Sequence, residues 1–145
     1  MGKVELLNDQ RAMLEWANSL IEMNDLLWFQ SFSEGKWGTA DVISHFITWD
    51  RFFLEHRIPY IRKGLPFPKL DINAEKMNKD ASIYARSGIR KENLINEYLH
   101  TKGLVVDHLE ELPDEVYNSV IKLGQGEKTV IAYFESHIQH DIKHK

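Results

Sequence analysis

The chain has 145 residues, 43% of them apolar, with 18 Lys and Arg against 22 Asp and Glu and a net charge of −4. That length suits one domain over residues 1–145, and the acidic balance without any Lys/Arg cluster argues against a nucleic-acid surface. Cysteine is absent, so there is no disulfide framework and no thiol nucleophile, and any metal must be held by imidazole and carboxylate.

In chain order the pattern is helical almost throughout. Leu6, Leu7, Met13, Leu14, Ala17, Leu20 and Ile21 recur at helical spacing, which predicts a first helix from about Glu5 to Met23. Asn24 to Gly38 carries polar and glycine punctuation around Leu26, Leu27, Trp28 and Phe32, and reads as a connector. A second helix is expected from Gly38 or Thr39 to about Ile58. Thr39 is its candidate cap, Asp41 suits the positive helix end, and Pro59 ends or kinks it. His45, Trp49, Phe52 and His56 form one stripe along this helix, with Trp49 and Phe52 read as core.

Gly64-Leu65-Pro66-Phe67-Pro68 breaks the chain, and the polar segment from Asp71 to Arg86 is weakly amphipathic and a candidate helix. A third core helix follows from Arg90 or Lys91 to about Leu112, interrupted by Gly103 and stopped by Pro113. Val116 to Leu123 reads as a short helix or an extended piece. A last helix starts at about Lys128, with Thr129 a possible cap. No apolar run approaches the ~20 residues of a membrane span, and the N-terminus lacks the apolar core of a signal peptide, so the expected location is the cytoplasm.

Four amphipathic helices imply an all-α four-helix bundle. The histidines constrain its order. His140 and His144, four residues apart, share a helix face, as do His137 and His140. His137 and His144 lie two turns apart and cannot both bind one ion, so either C-terminal pair must include His140. His45, near the start of helix 2, can join such a pair only if helices 2 and 4 are antiparallel. The long connection from Gly64 to Ile89 allows this by carrying the chain back along the bundle, which gives an up-down-down-up order with a crossover between helices 2 and 3. Three histidines around one divalent ion leave a coordination position open, the layout of a catalytic site. His56 lies three turns from His45, too far to join the same ion, and reads as boundary or surface, while His100 and His108 have no partner at ligand spacing.

Gly35-Lys36-Trp37, Asp41, His45, Trp49 and Asp50, followed far downstream by His140-Asp141-Ile142-Lys143-His144, resemble the signature of the DinB/YfiT-like superfamily of metal-binding helical bundles. The resemblance spans essentially the whole chain. It implies the up-down-down-up bundle, often a homodimer, and a divalent metal, commonly zinc or nickel, on His45, His140 and His144. His137 is then an extra residue and a candidate general base if it faces the cavity. The family's last histidine usually leads into a continued helix, whereas here Lys145 follows His144 directly, so His45 and His140 are expected to be the more firmly held ligands. The implied activity is a metal-dependent thiol S-transferase or a hydrolase acting on a small electrophilic molecule, with the thiol supplied from outside as a low-molecular-weight cofactor. The rival expectation is a non-catalytic helical module that binds a small ligand or dimerises.

Overall fold

Apolar periodicity becomes helix along most of the chain. A computed structural model describes residues 2–123 and 126–144, with the side chain of His144 outside that description. Helix α1 (Lys3–Ser19) turns Leu6, Leu7, Met13 and Ala17 inward, and a 3₁₀ turn at Leu20–Glu22 extends it. The expected connector contains a short helix, α2 (Asp25–Phe29), capped by the Asn24 side chain, which accepts the Leu26 N–H at 2.7 Å. Trp28 is its fully buried anchor.

Helix α3 (Thr39–His56) starts at Gly38, and the cap differs from expectation. The side chain that serves it is Asp41, which accepts the Gly38 N–H at 2.8 Å, while Thr39 lies inside the helix. At Arg57 the backbone leaves helical geometry, and α4 (Ile58–Lys63) begins at once. Pro59 therefore does not end a helix. It sits in the first turn of the next one, where its missing N–H leaves no bond unmade. Gly64 ends α4 at φ +67, a left-handed conformation that favours glycine.

The polar segment forms α5 (Ala74–Ala85), with the Asn73 side chain accepting the Lys76 N–H at 3.0 Å. Helix α6 (Lys91–Glu111) then runs as the longest element. After a 3₁₀ turn at Asp114–Asn118, Val120–Leu123 forms strand β1 and pairs antiparallel with β2 (Gly126–Thr129), Val120 opposite Thr129. The first of these segments resolves the choice between helix and extended chain in favour of strand, and the second, where no strand is expected, is its partner. Helix α7 (Val130–His144) closes the described chain, and the Thr129 hydroxyl accepts the Ala132 N–H at 3.2 Å, as its capping role requires.

Contacts along the helices give their relative directions. Phe46 meets Tyr98, Asp50 meets Lys102 and Arg62 meets His108, so α3 with α4 runs alongside α6 in the same sense. Lys3 reaches the carbonyl of Leu112, Gln10 meets Lys102 and Lys91 donates to the Met23 carbonyl, so α1 runs against α6. Phe53 packs on Phe134 while His45 lies beside His140, so α3 and α7 are antiparallel. Leu6, Met13, Ile43, Phe46, Leu94, Tyr98, Leu109, Phe134 and Ile138 are among the buried side chains that these helices share as one core.

Candidate metal centre

Antiparallel packing brings the start of α3 to the end of α7, and there the rings of His45 and His140 lie 6.3 Å apart, centre to centre. Imidazoles bound to one zinc ion at about 2.0–2.1 Å have centres roughly 5 Å apart, so a small side-chain rotation would let these two share an ion. The residues are 95 positions apart in sequence, and only the tertiary fold joins them.

His45 is the more firmly held. Trp37 and Trp49 flank its ring at 5.1 and 6.4 Å. Trp37 is delivered by a tight loop in which the Phe32 N–H donates to the Trp37 carbonyl at 2.8 Å and Ser31 bridges to Gly38. The Nδ1 of His45 lies 2.9 Å from Oδ1 of Asn78 on α5. The same oxygen accepts the Trp49 indole N–H at 2.9 Å. An indole nitrogen can only donate, so Trp49 fixes which end of the Asn78 amide faces this pair. His45 Nδ1 must then carry the proton, and in the neutral ring Nε2 is left with its lone pair. Holding the distal N–H of a histidine ligand is the usual second-layer arrangement around metal-binding imidazoles.

The side chain of His140 is about half exposed, with Nδ1 3.4 Å from Asp141 Oδ1. His137 lies one turn earlier and turns to the interior, its ring 4.8 Å from Phe53 and 4.7 Å from Tyr133. Burial, with help from the nearby His140, Lys128 and Arg57, pushes its pKa down to about 4, so it is neutral at pH 7. The side chain of His144 lies outside the described residues; its backbone falls in the last turn of α7. Among the described residues no three His, Asp or Glu side chains gather to hold an ion.

The remaining motif residues brace α3. Asp41 is 1% exposed and receives three further hydrogen bonds, two from the Arg86 guanidinium (3.0 and 2.6 Å) and one from the Ser82 hydroxyl (2.6 Å). Burial alone would raise its carboxyl pKa, but the hydrogen bonds from Arg86, the Gly38 backbone and Ser82 hold it below the usual value. Asp50 takes part in a buried polar cluster. Its Oδ1 accepts from the Lys102 ammonium at 3.0 Å, and Lys102 also donates to Gln10 at 2.8 Å. The other oxygen of Asp50 and the Tyr98 hydroxyl have no hydrogen-bond partner among the described residues. Burial raises Asp50 to about 6 against the opposing pull of Lys102, with the charge of Asp141 adding to the rise. Phe52 is core, as expected, and Trp49 is half-buried with its indole on Asn78. The His56 ring lies tilted against Phe52, 5.4 Å between centres, and His108 lies beside Arg62.

Asn78 is the residue that sequence reasoning missed. It lies in a polar segment with no motif, and its partners sit 33 and 29 residues upstream. A usable signal existed in its spacing: Asn78, Ala81, Ser82 and Ala85 share a face of α5, and that face meets α3.

No family model matches the chain, and no curated protein matches it in sequence. Solved structures do match in fold. A mycothiol-dependent maleylpyruvate isomerase superposes with a TM-score of 0.74 at 14% identity, over 99% of this chain and 59% of the isomerase. A point mutant of that isomerase gives 0.71 at 14% identity over 98% and 60% of the respective chains. YfiT from Bacillus subtilis, described as a probable metal-dependent hydrolase with an unusual four-helix bundle topology, gives 0.65 at 14% identity over 96% and 77%. This chain thus spans about three-fifths of the isomerase's length. The likeness shows that it shares the four-helix-bundle fold of these structures.

Proposed function

We propose that this protein is a divalent-metal-dependent enzyme acting on a small molecule, with His45, His140 and His144 as the ligands. One observation carries the reading: α3 and α7 bring His45 and His140 side by side, and Asn78 holds the proton of His45 on Nδ1, which puts the ring's ligating lone pair on Nε2. The all-nitrogen donor set suits zinc or nickel. When bound, such an ion would act as a Lewis acid or lower the pKa of a bound water or thiol.

The rest falls to the chain. Trp37 and Trp49 wall the His45 ring, exclude water from its flanks and limit its rotation. Asn78 sets its tautomer. The Asp41 clasp fixes the first turn of the helix that carries it. His137, neutral and packed between aromatic rings, supports α7 and could accept a proton only as a weak base. We favour transfer of an external low-molecular-weight thiol to an electrophile over hydrolysis. One feature supports this choice: one structural neighbour is mycothiol-dependent, and with no cysteine in the chain the thiol would come from outside.

The test is metal analysis of tag-free protein before and after incubation with zinc or nickel. About one ion per chain is expected, lost on replacing His45 or His140 by Ala. Fewer than about 0.1 ion per chain would remove the proposal and leave a non-catalytic helical module.

A further inference from the structure

At the opposite end of α3 from the histidines lies a trough of about 1330 Å³. It is larger than the roughly 300–1,000 Å³ of ordinary ligand pockets. The segment after α4 and the β1 strand form its walls, with Leu65, Phe67, Ile121 and Leu123 among the apolar lining. Its charged residues are all basic: Arg57, Arg62, Lys63, Lys69 and Lys122, with no Asp or Glu among the described lining residues. Arg62 is engaged by His108 and by Glu111 at 3.8 Å. Lys63, Lys69 and Lys122 make no ion pair among the described residues.

Arg57 is the distinctive member. Its guanidinium lies over the rings of Phe52 (4.6 Å) and Phe67 (4.4 Å). Its Nε donates to the Tyr133 hydroxyl at 3.2 Å and Nη1 to the His56 carbonyl at 3.0 Å. Among the described residues no carboxylate pairs with it, and Nη2 has no acceptor. Arg57 is partly buried, and a guanidinium clamped in place presents its remaining N–H groups at little entropic cost. An apolar trough ending at such a cation matches a molecule with an apolar tail and one anionic head.

We propose that this trough is a second binding site, about 18 Å along α3 from His45, for a free amphiphilic carboxylate whose head pairs with Arg57 and whose tail lies along Leu65, Phe67 and Ile121. It is independent of the metal reading and stands if that reading fails.

The probe is decanoate, titrated calorimetrically into the full chain beside decyltrimethylammonium, which has the same tail and the opposite charge. Decanoate should bind saturably at one site and at least tenfold more tightly than the cation. Arg57→Met keeps an apolar stem between the rings and removes the charge. It should weaken decanoate about tenfold and leave the cation's binding no weaker. Should that variant fail to fold by circular dichroism, Lys69→Glu with Lys122→Glu, both at exposed positions, should weaken decanoate at least threefold. Equal affinity for the two probes, no saturable binding up to about 1 mM, or wild-type affinity in the folded variants would overturn the proposal. Loss of decanoate binding in His45→Ala instead would place the carboxylate at the histidines and overturn it equally.

Discussion

Replacing Lys102 by Met removes the ammonium that holds both Asp50 and Gln10, and its cost should depend on pH in a specified way. Lys102 is 1% exposed and Asp50 2%, so neither is screened by water. In the wild type, burial lifts Asp50 to about 6 from the ordinary carboxyl value of 3.8. An acid whose folded pKa lies above its unfolded value binds its proton more tightly when folded. Its contribution is therefore complete below about pH 4 and is lost as pH rises through about 6, a span of about 3 kcal/mol. Without Lys102 the carboxyl must stay protonated at pH 7, which adds about 1 kcal/mol, and two charge-assisted hydrogen bonds are lost at about 1 kcal/mol or more each. The expected destabilisation at pH 7 is about 3 kcal/mol, at the low end for breaking a buried ion pair. Near pH 4.5, where Asp50 is already protonated in both proteins, the protonation cost drops out and the destabilisation should fall to about 2 kcal/mol. Urea unfolding followed by tryptophan fluorescence at the two pH values measures both quantities. The double variant with Asp50→Asn should recover at least half of the loss at pH 7 and should abolish its pH dependence. A cost for Lys102→Met that is as large at low pH as at neutral pH would refute the reasoning, because Asp50 would then be titrating as an ordinary carboxylate.

Asn78→Leu keeps the helix but frees the His45 tautomer, so affinity for zinc should fall about 10- to 100-fold in a chelator competition while helix content is unchanged. Unchanged affinity would show that Asn78 does not orient the ligand. Two glycines should respond in opposite directions to alanine. A Cβ at Gly38 would lie 2.5 Å from the Gln30 carbonyl oxygen, and backbone cannot move aside cheaply, so Gly38→Ala should cost about 2 kcal/mol in urea unfolding. A Cβ at Gly103, inside α6, meets nothing within 4 Å, so Gly103→Ala should stabilise by about 0.5–1 kcal/mol. Equal effects at the two positions would contradict the packing around Gly38.

Helices α1, α3, α6 and α7 were legible because each turns a regular apolar stripe to a shared core, and period is a local property of sequence. The meeting of His45 with His140 could be anticipated from the length of the crossover. For Asn78 only its place on the inward face of α5 was readable, because the partner of a hydrogen bond spanning 33 residues cannot be read from either segment alone. The hairpin was missed for a different reason. Its strands are four residues each, too short for alternation to stand out, and Gly126-Glu127-Lys128-Thr129 carries no apolar face at all. Pro59 misled in position only: the break falls at Arg57, and proline then starts a helix instead of ending one. Asp41 was seen as a favourable charge at a helix end, but its four hydrogen-bond donors include Arg86 and Ser82, which arrive more than 40 residues later.

Helix α5 lies within the stretch that looked like a linker, yet it touches α3 at successive levels. Ser82 and Arg86 reach Asp41, the Ala81 carbonyl accepts from Ser44, and Asn78 holds His45 and Trp49. The crossover is therefore a splint as well as a route. Trimming it to a short hairpin loop, a common simplification in redesigned bundles, would reverse α6 and release the His45 ring in the same stroke. Evolution of this fold toward a shorter chain would have to find a new anchor for that ring before it could delete the old one.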